Sequence, residues 1–504
     1  MPGHVFVTRS DLTRLSCSAW LLPTDAQGRV MSHWVGATGV DPALVDDSGC
    51  LRETLPPGWG TDELRTFRLS TANGRAVWAT NTARTDATAE WYAAGVRDFV
   101  RAAGGEAVAI NGREVPLLGV PLVGTGAGGG ITRTGEIAAA IVDAAAAAMS
   151  SVDVDVVICC FDDESHAAVQ YARRDRQEPD LSPELDATAT RLAESAMAAG
   201  LVVFIGAGAS MGAGLPSWQG LLSSVAGESG IQESERALLG KLPVVDQARI
   251  IQSRLEEQGE ELGRAVVRRL DDRLHSLSHS LLASLPVHEF VTTNYDRLFE
   301  VASAGAGAPC AALPYASPAH GERWLLKMHG CVDHPQDIVL TRSDYITYSE
   351  RRAALAGIVQ AMLMTRHMLF VGFSLADENF HRIAHDVRQA VSVGGSRDDR
   401  YGTALLVEEQ GLLGQLWTDL DCVSTSSSAT PIRTLEILLD TVLARATSTS
   451  AHLLDDRFDG LLTPAQRELR DELRDLPGRL SDDARALPEW RQLGELLERL
   501  GGKL

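Results

Sequence analysis

The chain has 504 residues, of which 45% are hydrophobic, so it is long enough for two or three domains with buried cores. Its 67 acidic residues outnumber 46 lysines and arginines, and the net charge of −21 opposes binding to nucleic-acid phosphates. We find no signal peptide, no apolar run of about 18 residues and no Cys-x-x-Cys pair among the seven cysteines. We therefore expect a cytoplasmic protein without zinc, disulfides, membrane spans or direct nucleic-acid contacts.

The first third of the chain alternates strands with helices, which predicts a parallel or mixed sheet in an α/β domain over residues 1–176. Strands are predicted at residues 4–8, 17–22, 116–120 and 154–160, with an alanine-rich helix at 135–149. A glycine-rich loop at 124–130 lies between a strand and that helix, where backbone N–H groups can hold phosphates. A plain flexible turn is the alternative interpretation of this loop.

The same region resembles a macro domain, the fold that binds ADP-ribose. The resembling segments are Thr-Arg-Ser-Asp-Leu-Thr at 8–13 and Val-Gly-Thr-Gly-Ala-Gly at 123–128. The resemblance implies an adenine contact from Asp11 and a diphosphate and ribose site in the loop, formed by Gly124, Thr125, Gly126, Ala127 and Gly128. Macro domains carry an Asn-bearing loop where this chain has Pro-Thr-Asp-Ala at 23–26, so the resemblance implies a ligand sensor or a structural unit rather than an ADP-ribose hydrolase.

A second domain is expected over residues 184–446, after a polar, proline-bearing linker at 177–183. The apolar run at 201–205 predicts a buried strand, and it leads straight into Gly206, Gly208, Gly212 and Gly214. Such glycines allow a ligand to approach the backbone closely, and the N-terminus of the next helix can hold a pyrophosphate. Residues 219–285 are predicted to form a helical insert, with a helix across 266–275.

Polar and glycine residues follow the later strands of this domain. Strands are predicted at 288–293, 324–328, 338–340, 367–371 and 401–407, with a helix at 378–391. Because the carboxyl ends of parallel strands meet at one edge, we expect Asn294, His329 and Gly372 to lie at one ligand site. The structural alternatives are a helix cap for Asn294 and ordinary hydrogen bonding for His329. We expect Asp377 to cap the helix at 378–391.

The order of these segments resembles the sirtuin family over residues 190–445. The matching segments are Gly-Ala-Gly-Ala-Ser at 206–210, Gly-Leu-Pro at 214–216, Thr-Thr-Asn-Tyr-Asp at 292–296, Lys-Met-His-Gly at 327–330 and Val-Gly-Phe-Ser at 371–374. Thr-Thr-Asn-Tyr-Asp and Gly-Phe-Ser-Leu-x-Asp are similar to the sirtuin-like effectors of bacterial anti-phage defence, as in Thoeris systems. The resemblance implies cleavage of NAD+ to nicotinamide and ADP-ribose, which empties an infected cell of NAD+. The four-cysteine zinc module of deacylases has no counterpart here, and Ser-Trp-Gln at 217–219 replaces their Asp-Phe-Arg.

Two side chains are predicted to carry the chemistry of NAD+ cleavage. Asn294 can orient a water or bond the ribose hydroxyls, and His329 can accept a proton because its ordinary pKa is near neutrality. The NAD+-binding residues are predicted to be Gly206, Ala207, Gly208, Ser210, Gly214, Thr293, Asp296, Gly372 and Ser374.

The predicted fold is α/β, with a Rossmann-like parallel sheet and helical insert, a macro-like α/β domain before it and a helical segment at 447–504 after it. The tail carries a Thr463-Pro464 helix start and a leucine stripe at 469, 473 and 476, typical of packing against the central domain or of an oligomer interface. The first hypothesis is an NAD+ hydrolase of abortive infection, working as a homo-oligomer with an ADP-ribose-derived signalling nucleotide or a partner defence protein. The alternatives are an NAD-dependent protein deacylase and a non-catalytic NAD or ADP-ribose sensor.

Overall fold

The structure is a computed structural model that describes residues 2–72, 74–85, 87–126, 128–176, 178–270, 273–392, 400–409, 415–448 and 450–502. Ala127 of the predicted N-terminal ligand loop lies outside the described residues. Within these ranges, two β-sheets of six and seven strands organise the fold. Among the described helices, none combines the length and the apolar character needed to cross a bilayer.

The first sheet confirms the mixed α/β architecture predicted for the N-terminal region. Its strands are β1 Val5–Arg9, β2 Ala19–Thr24, β3 Thr66–Ala72, β4 Arg75–Asn81, β5 Leu117–Pro121 and β6 Asp155–Cys160, and its helices are α1 Ala89–Gly104, α2 Thr134–Met149 and α3 Asp163–Arg173. The strand order is β1-β6-β5-β2-β4-β3, and only the β3–β4 pair is antiparallel. Helices α1 and α2 pack on one face, where they share a core with alternate residues of β1, β2, β5 and β6.

The second sheet is parallel throughout. Its strands are β7 Leu201–Ile205, β8 Glu289–Thr292, β9 Cys310–Leu313, β10 Arg323–Lys327, β11 His367–Val371, β12 Gly402–Leu406 and β13 Leu420–Ser424. The order is β13-β12-β11-β7-β8-β10-β9. Strands β8, β9 and β10 lie on one side of β7, in the spatial order β8, β10, β9. The chain then crosses over, and β11, β12 and β13 lie on the other side of β7. The carboxyl ends of β7 and β11 therefore form the point where an open α/β sheet binds ligands.

The helices around the second sheet include the predicted insert. They are α4 Pro183–Met197, α5 Ala207–Met211, α6 Trp218–Glu228, α7 Glu233–Leu239, α8 Val244–Glu256, α9 Leu262–Val267, α10 Leu277–Ser284, α11 Leu298–Gly305, α12 Arg342–Arg351, α13 Ala353–Thr365, α14 Glu378–Ser392 and α15 Pro431–Ala446.

Two local predictions in this region are wrong. The predicted helix at 266–275 ends at Val267, because His275 instead exchanges backbone hydrogen bonds with Arg14 and Ser16 of the first region. Residues 338–340 form no strand, because the N–H of Val339 bonds the His329 carbonyl, and the Val339 carbonyl accepts from the Tyr295 hydroxyl. In both cases a long-range contact overrides the local pattern.

A layer of helices joins the two sheets. Helices α4, α10, α11 and α15 contribute to one hydrophobic core that also contains residues from the inner faces of both sheets, such as Trp20 of β2 and Val203 of β7. Buried ion pairs cross the same contact, between Arg433 and Asp155 at 2.9 Å and between Arg173 and Asp440 at 2.7 Å. The hydrophobic core thus continues past the linker, and the division into domains at 1–176, 184–446 and 447–504 stays a prediction.

The C-terminal tail packs on the first sheet's helices rather than on the central region as expected. A 3-10 segment at Asp456–Leu461 lies against α2 and α3, and a Cβ added to Gly135 of α2 would lie 3.0 Å from the Phe458 Cα atom. Thr463 caps α16, Pro464–Arg479, as predicted, and α17 Asp482–Arg485 and α18 Pro488–Arg499 follow. Leu469 of the predicted leucine stripe is 51% exposed.

Candidate active site at the carboxyl edge of the seven-stranded sheet

The residues predicted to carry the chemistry follow two neighbouring strands. Thr292 at the end of β8 pairs in register with Lys327 at the end of β10, and Asn294 and His329 each lie two residues beyond that pair. Both side chains are buried, at 8% and 1% exposure. The structure therefore places them at the same edge of the sheet, as the sequence predicted.

The glycines after β7 contact the backbone at the end of β11. The N–H of Gly206 donates to the Val371 carbonyl at 2.9 Å, and that of Gly208 donates to the Gly372 carbonyl at 2.8 Å. A Cβ on Gly208 would lie 2.8 Å from the Gly372 Cα atom, and Gly372 itself has a φ of +65°. One face of Gly208 is thus occupied by a neighbouring strand end, although the residue is exposed on its other side.

Asn294 is held by its amide nitrogen and leaves its amide oxygen unused. Nδ2 donates to the Gly206 carbonyl and to Ser210 Oγ, both at 3.1 Å, while the backbone N–H donates to Thr292 Oγ1 at 3.0 Å. Its Oδ1 atom is buried without a hydrogen-bond partner among the described residues. Buried polar atoms without partners are rare, so this acceptor is suited to a ligand hydroxyl or water.

Asp296, rather than Asn294, accepts a hydrogen bond from the start of the following helix. Its Oδ1 accepts from the Leu298 N–H at the start of α11 at 3.0 Å, and its Oδ2 accepts from Ser210 Oγ at 2.9 Å. Ser210 on α5 thus connects Asn294 with Asp296. This chain of side-chain hydrogen bonds joins the loop after β7 to the loop after β8.

His329 lies in a pocket of aromatic and polar side chains. Its Nε2 is 3.3 Å from Asn379 Nδ2 and 3.7 Å from Asp377 Oδ2, and the Tyr345 hydroxyl donates to the same Asp377 oxygen at 3.0 Å. Burial lowers the pKa of His329, with the Asp377 carboxylate opposing this effect. The imidazole is therefore neutral near pH 7 and can accept a proton.

Helix α14 contributes two of these side chains. Asp377 caps it as predicted, accepting from the Phe380 N–H at 2.9 Å. Sequence reasoning missed Asn379, which is 2% exposed and reaches His329 from the first turn. The sequence indicated this residue only by its position, the second residue of a helix that begins at the carboxyl edge of the sheet.

The other predicted NAD+-binding residues lie on the segments that follow β7, β8 and β11. Ala207 and Thr293 are half-buried beside the two loops, Gly214 has a φ of +93°, and Ser374 is exposed between Phe373 and Leu375. Within the described ranges, no three His, Cys, Asp or Glu side chains group as a metal site.

The N-terminal glycine loop wraps around a tyrosine. A Cβ on Gly124 would lie 2.6 Å from the Tyr92 ring, and the Tyr92 hydroxyl donates to the Gly128 carbonyl at 2.8 Å. Thr125 Oγ1 donates to the Leu122 carbonyl at 2.7 Å, and Gly126 faces open space. The packing around Tyr92 accounts for part of this glycine pattern.

Asp11 has a local structural role in the first region. Its Oδ1 accepts from Thr13 N–H and Oγ1 at 2.9 and 2.7 Å, which caps the 3-10 turn Leu12–Arg14. Phe161, which the sequence analysis did not select, is 91% exposed directly after β6, between the ends of β1 and β5. The structure therefore adds an exposed aromatic ring to this edge of the first sheet.

Comparison with known proteins places the likeness in the central region. Residues 288–407 match the SIR2-like domain family, which confirms the sirtuin-like prediction there. The NAD(+) hydrolase ThsA of Bacillus cereus (strain MSX-D12) is 31% identical over 229 residues, 44% of this chain and 45% of the relative. ThsA of Enterococcus faecium is 32% identical over 208 residues, 39% of this chain and 42% of the relative. Defense-associated sirtuin 2 of Bacillus subtilis is 26% identical over 207 residues, 39% of this chain and 20% of the relative.

These matches span less than half the length of the relatives.

Proposed function

We propose that this protein hydrolyses NAD+ to nicotinamide and ADP-ribose. The observation that carries the proposal is the buried, unpartnered Oδ1 of Asn294, which lies with His329 at the carboxyl edge of a parallel sheet. The ThsA relatives are named NAD(+) hydrolases, which supports the same chemistry.

The reaction adds water across the bond between ribose and nicotinamide. Neutral nicotinamide leaves with the bonding electrons, water forms the new bond to the anomeric carbon, and one proton is released. Asn294 Oδ1 accepts a hydrogen bond from a ribose hydroxyl or from the attacking water. His329, which is neutral because burial lowers its pKa, receives the proton.

Two carboxylates suit the charge that develops in this reaction. The ribose becomes cationic as nicotinamide departs, and negative groups nearby stabilise it. Asp296 lies on the loop that carries Asn294, and Asp377 lies 3.7 Å from His329 Nε2. Asp296 is additionally fixed by its bonds to Ser210 and the start of α11.

The test incubates the purified full chain with NAD+ and separates the products by chromatography. We expect nicotinamide and ADP-ribose in equal amounts. The variants Asn294→Ala and His329→Ala should each lose activity by at least about 100-fold while unfolding at a denaturant concentration close to that of the unaltered chain. Full turnover by both variants would show that the site is elsewhere.

The same assay separates the two alternatives. A protein deacylase would release nicotinamide only when an acyl-lysine peptide is added, with the acyl group appearing on ADP-ribose. A sensor would bind NAD+ or ADP-ribose in calorimetry and release no nicotinamide, even with candidate activating nucleotides. Release of free ADP-ribose without peptide favours the hydrolase.

We also propose that the hydrolase acts in the bacterial cytoplasm as a homo-oligomeric anti-phage effector, alone or with a partner defence protein. The name Defense-associated sirtuin 2 of one relative supports this role. The test expresses the chain in a phage-sensitive bacterium and follows cellular NAD+ after infection. NAD+ should collapse with the unaltered chain and persist with His329→Ala; equal NAD+ levels in both strains would refute the role.

For the first sheet we propose a site for an ADP-ribose-type signalling nucleotide, formed by Asp11, Gly124, Thr125, Gly126, Gly128 and, outside the described residues, Ala127. The exposed Phe161 ring supports this proposal because it offers a surface on which a base can stack. Calorimetric titration with ADP-ribose should give binding that Phe161→Ala weakens. If Phe161→Ala leaves the affinity for ADP-ribose unchanged, Phe161 is not part of the site. If ADP-ribose produces no heat of binding with the unaltered chain, the proposed nucleotide site is wrong.

A further inference from the structure

A buried lysine lies beneath the candidate active site. Lys327, the last residue of β10, is 0% exposed, and its Nζ is 2.8 Å from Glu300 Oε1 on α11. Lysine is rarely buried to this extent, because removing its charge from water is costly. The proposed reaction gives this side chain no role.

The Lys327 ammonium group holds the backbone that follows Asn294. Nζ donates to the Asp296 carbonyl, and the Tyr295 carbonyl lies 3.5 Å away. Tyr295 and Asp296 come directly after Asn294 in the chain, and Lys327 itself lies two residues before His329. One side chain therefore connects the backbone segments that carry both predicted active-site residues.

Glu300 balances the charge of the ammonium group. Burial alone would lower the pKa of Lys327, but the Glu300 carboxylate reverses this effect and raises it, so the lysine is charged. An unpaired cation at this place would oppose the positive charge that develops on the ribose. The pair thus supplies hydrogen-bond donors to the loop without adding net positive charge.

We propose that Lys327 is a positioning residue that holds the Asn294 loop in place relative to His329, with Glu300 as its counter-ion. The inference rests on the proposed NAD+ hydrolysis and deepens it. The competing explanation is a buried ion pair that contributes only to folding. The two explanations differ in what happens when both charges are removed together.

The test compares Lys327→Met with the double variant Lys327→Met/Glu300→Gln. The single variant leaves a buried carboxylate without its cation and is expected to unfold more easily. The double variant removes that unpaired charge and recovers stability, yet still lacks the donors to the Tyr295 and Asp296 carbonyls. It therefore carries the test even if the single variant does not fold.

Arg323→Met is the matched control. Arg323 is a largely buried cation on the same strand, and its Nη atoms donate to the backbone carbonyls of Ala283 and Leu285 at 2.6 and 2.7 Å. It lies at the opposite, amino end of β10. Removing it deletes the same kind of contact far from Asn294.

We expect the folded double variant to lose about 100-fold in kcat, the cost of a loop displaced by about 1 Å. KM should rise by no more than about tenfold, because the displaced loop supplies only part of the contacts to NAD+. Arg323→Met should lose stability and keep its kcat. An active double variant with normal kcat overturns the positioning role alone, whereas an unaltered chain that never releases nicotinamide overturns the proposed function and this inference with it.

Discussion

Replacing Gly208 by alanine distinguishes two explanations for the glycine loop after β7. Glycine either leaves room for the neighbouring backbone at the end of β11 or allows a ligand to approach closely. If the first explanation is correct, the added methyl group must destabilise the fold. Its Cβ would lie 2.8 Å from the Gly372 Cα atom and 2.9 Å from the Gly372 carbonyl oxygen. Non-bonded carbon atoms prefer about 3.5–4.0 Å, so the two loops must separate by close to 1 Å, at a cost of about 1–3 kcal/mol.

The same separation should reach the candidate active site. The N–H of Gly208 donates to the Gly372 carbonyl at 2.8 Å, and the neighbouring Gly206 carbonyl accepts from Asn294 Nδ2 at 3.1 Å. Moving the loop therefore moves the side chain that we propose contacts the substrate. A displacement of this size costs about 100-fold in kcat.

The assay pairs urea unfolding with nicotinamide release measured over a range of NAD+ concentrations up to saturation. Gly227→Ala is the control, because this residue lies inside α6 and its added Cβ would meet only Arg236 Nη2, at 3.7 Å. That variant should gain up to about 1 kcal/mol from helix propensity and keep full activity. A Gly208→Ala protein that is as stable as the unaltered chain and differs only in a higher KM would refute the packing argument and favour ligand approach.

Three further predictions concern buried charges. Burial lowers the pKa of His279 to about 3, against 6.5 in the unfolded chain, so the neutral ring's contribution to stability is complete above pH 6.5 and is lost as the pH falls towards 3. The chain should therefore lose free energy of unfolding between about pH 7.5 and about pH 5. His279→Gln keeps the α10 cap and should make that loss smaller by about 2 kcal/mol, measured by urea unfolding. Arg433→Met leaves the fully buried Asp155 without its main partner and should cost about 3–5 kcal/mol in the free energy of unfolding, with partial recovery in the double variant Arg433→Met/Asp155→Asn. Because burial lowers the pKa of His329, kcat/KM should stay level from about pH 8 down to 6.5 and decline below it, and an inflection above pH 6.5 would contradict a neutral base.

The parts of the fold that the sequence predicts well are those specified by local patterns. The apolar runs of β7 and β11 coincide with their observed bounds, because a strand buried on both faces needs a continuous apolar segment. Edge strand β9 was missed, since Cys310–Leu313 is short and half-exposed on both faces. Strand β13 was also missed, because Leu420–Ser424 runs into a serine- and threonine-rich segment, a composition typical of loops.

The candidate site divides in the same way. Asn294 and His329 could be selected because each directly follows a predicted strand end. Asn379 and Lys327 could not be assigned a role, since their partners are distant in sequence. The positive φ values of Gly214 and Gly372 agree with the glycine pattern, but the backbone that Gly208 contacts belongs to a strand more than a hundred residues away.

Helix α15 shows most clearly what a local pattern cannot reveal. Three of its four charged residues, Arg433, Glu436 and Asp440, suggest a solvent-facing side, yet they are 1–3% exposed. Each is paired with the first region: Arg433 with Asp155, Glu436 with Arg113 at 2.7 Å, and Asp440 with Arg173. A pattern of charges identifies the polar face of a helix but not what lies against it.

This charged face of α15 limits how the chain can be recombined. A crossover in the linker at 177–183 that brought in a different N-terminal unit would leave three buried charges without partners, each at a cost of several kcal/mol. A viable chimera must therefore exchange residues 1–176 together with α15, although the two are separated by more than 250 residues of chain. Residues 1–176 and α15 should accordingly be inherited, and engineered, as a matched set.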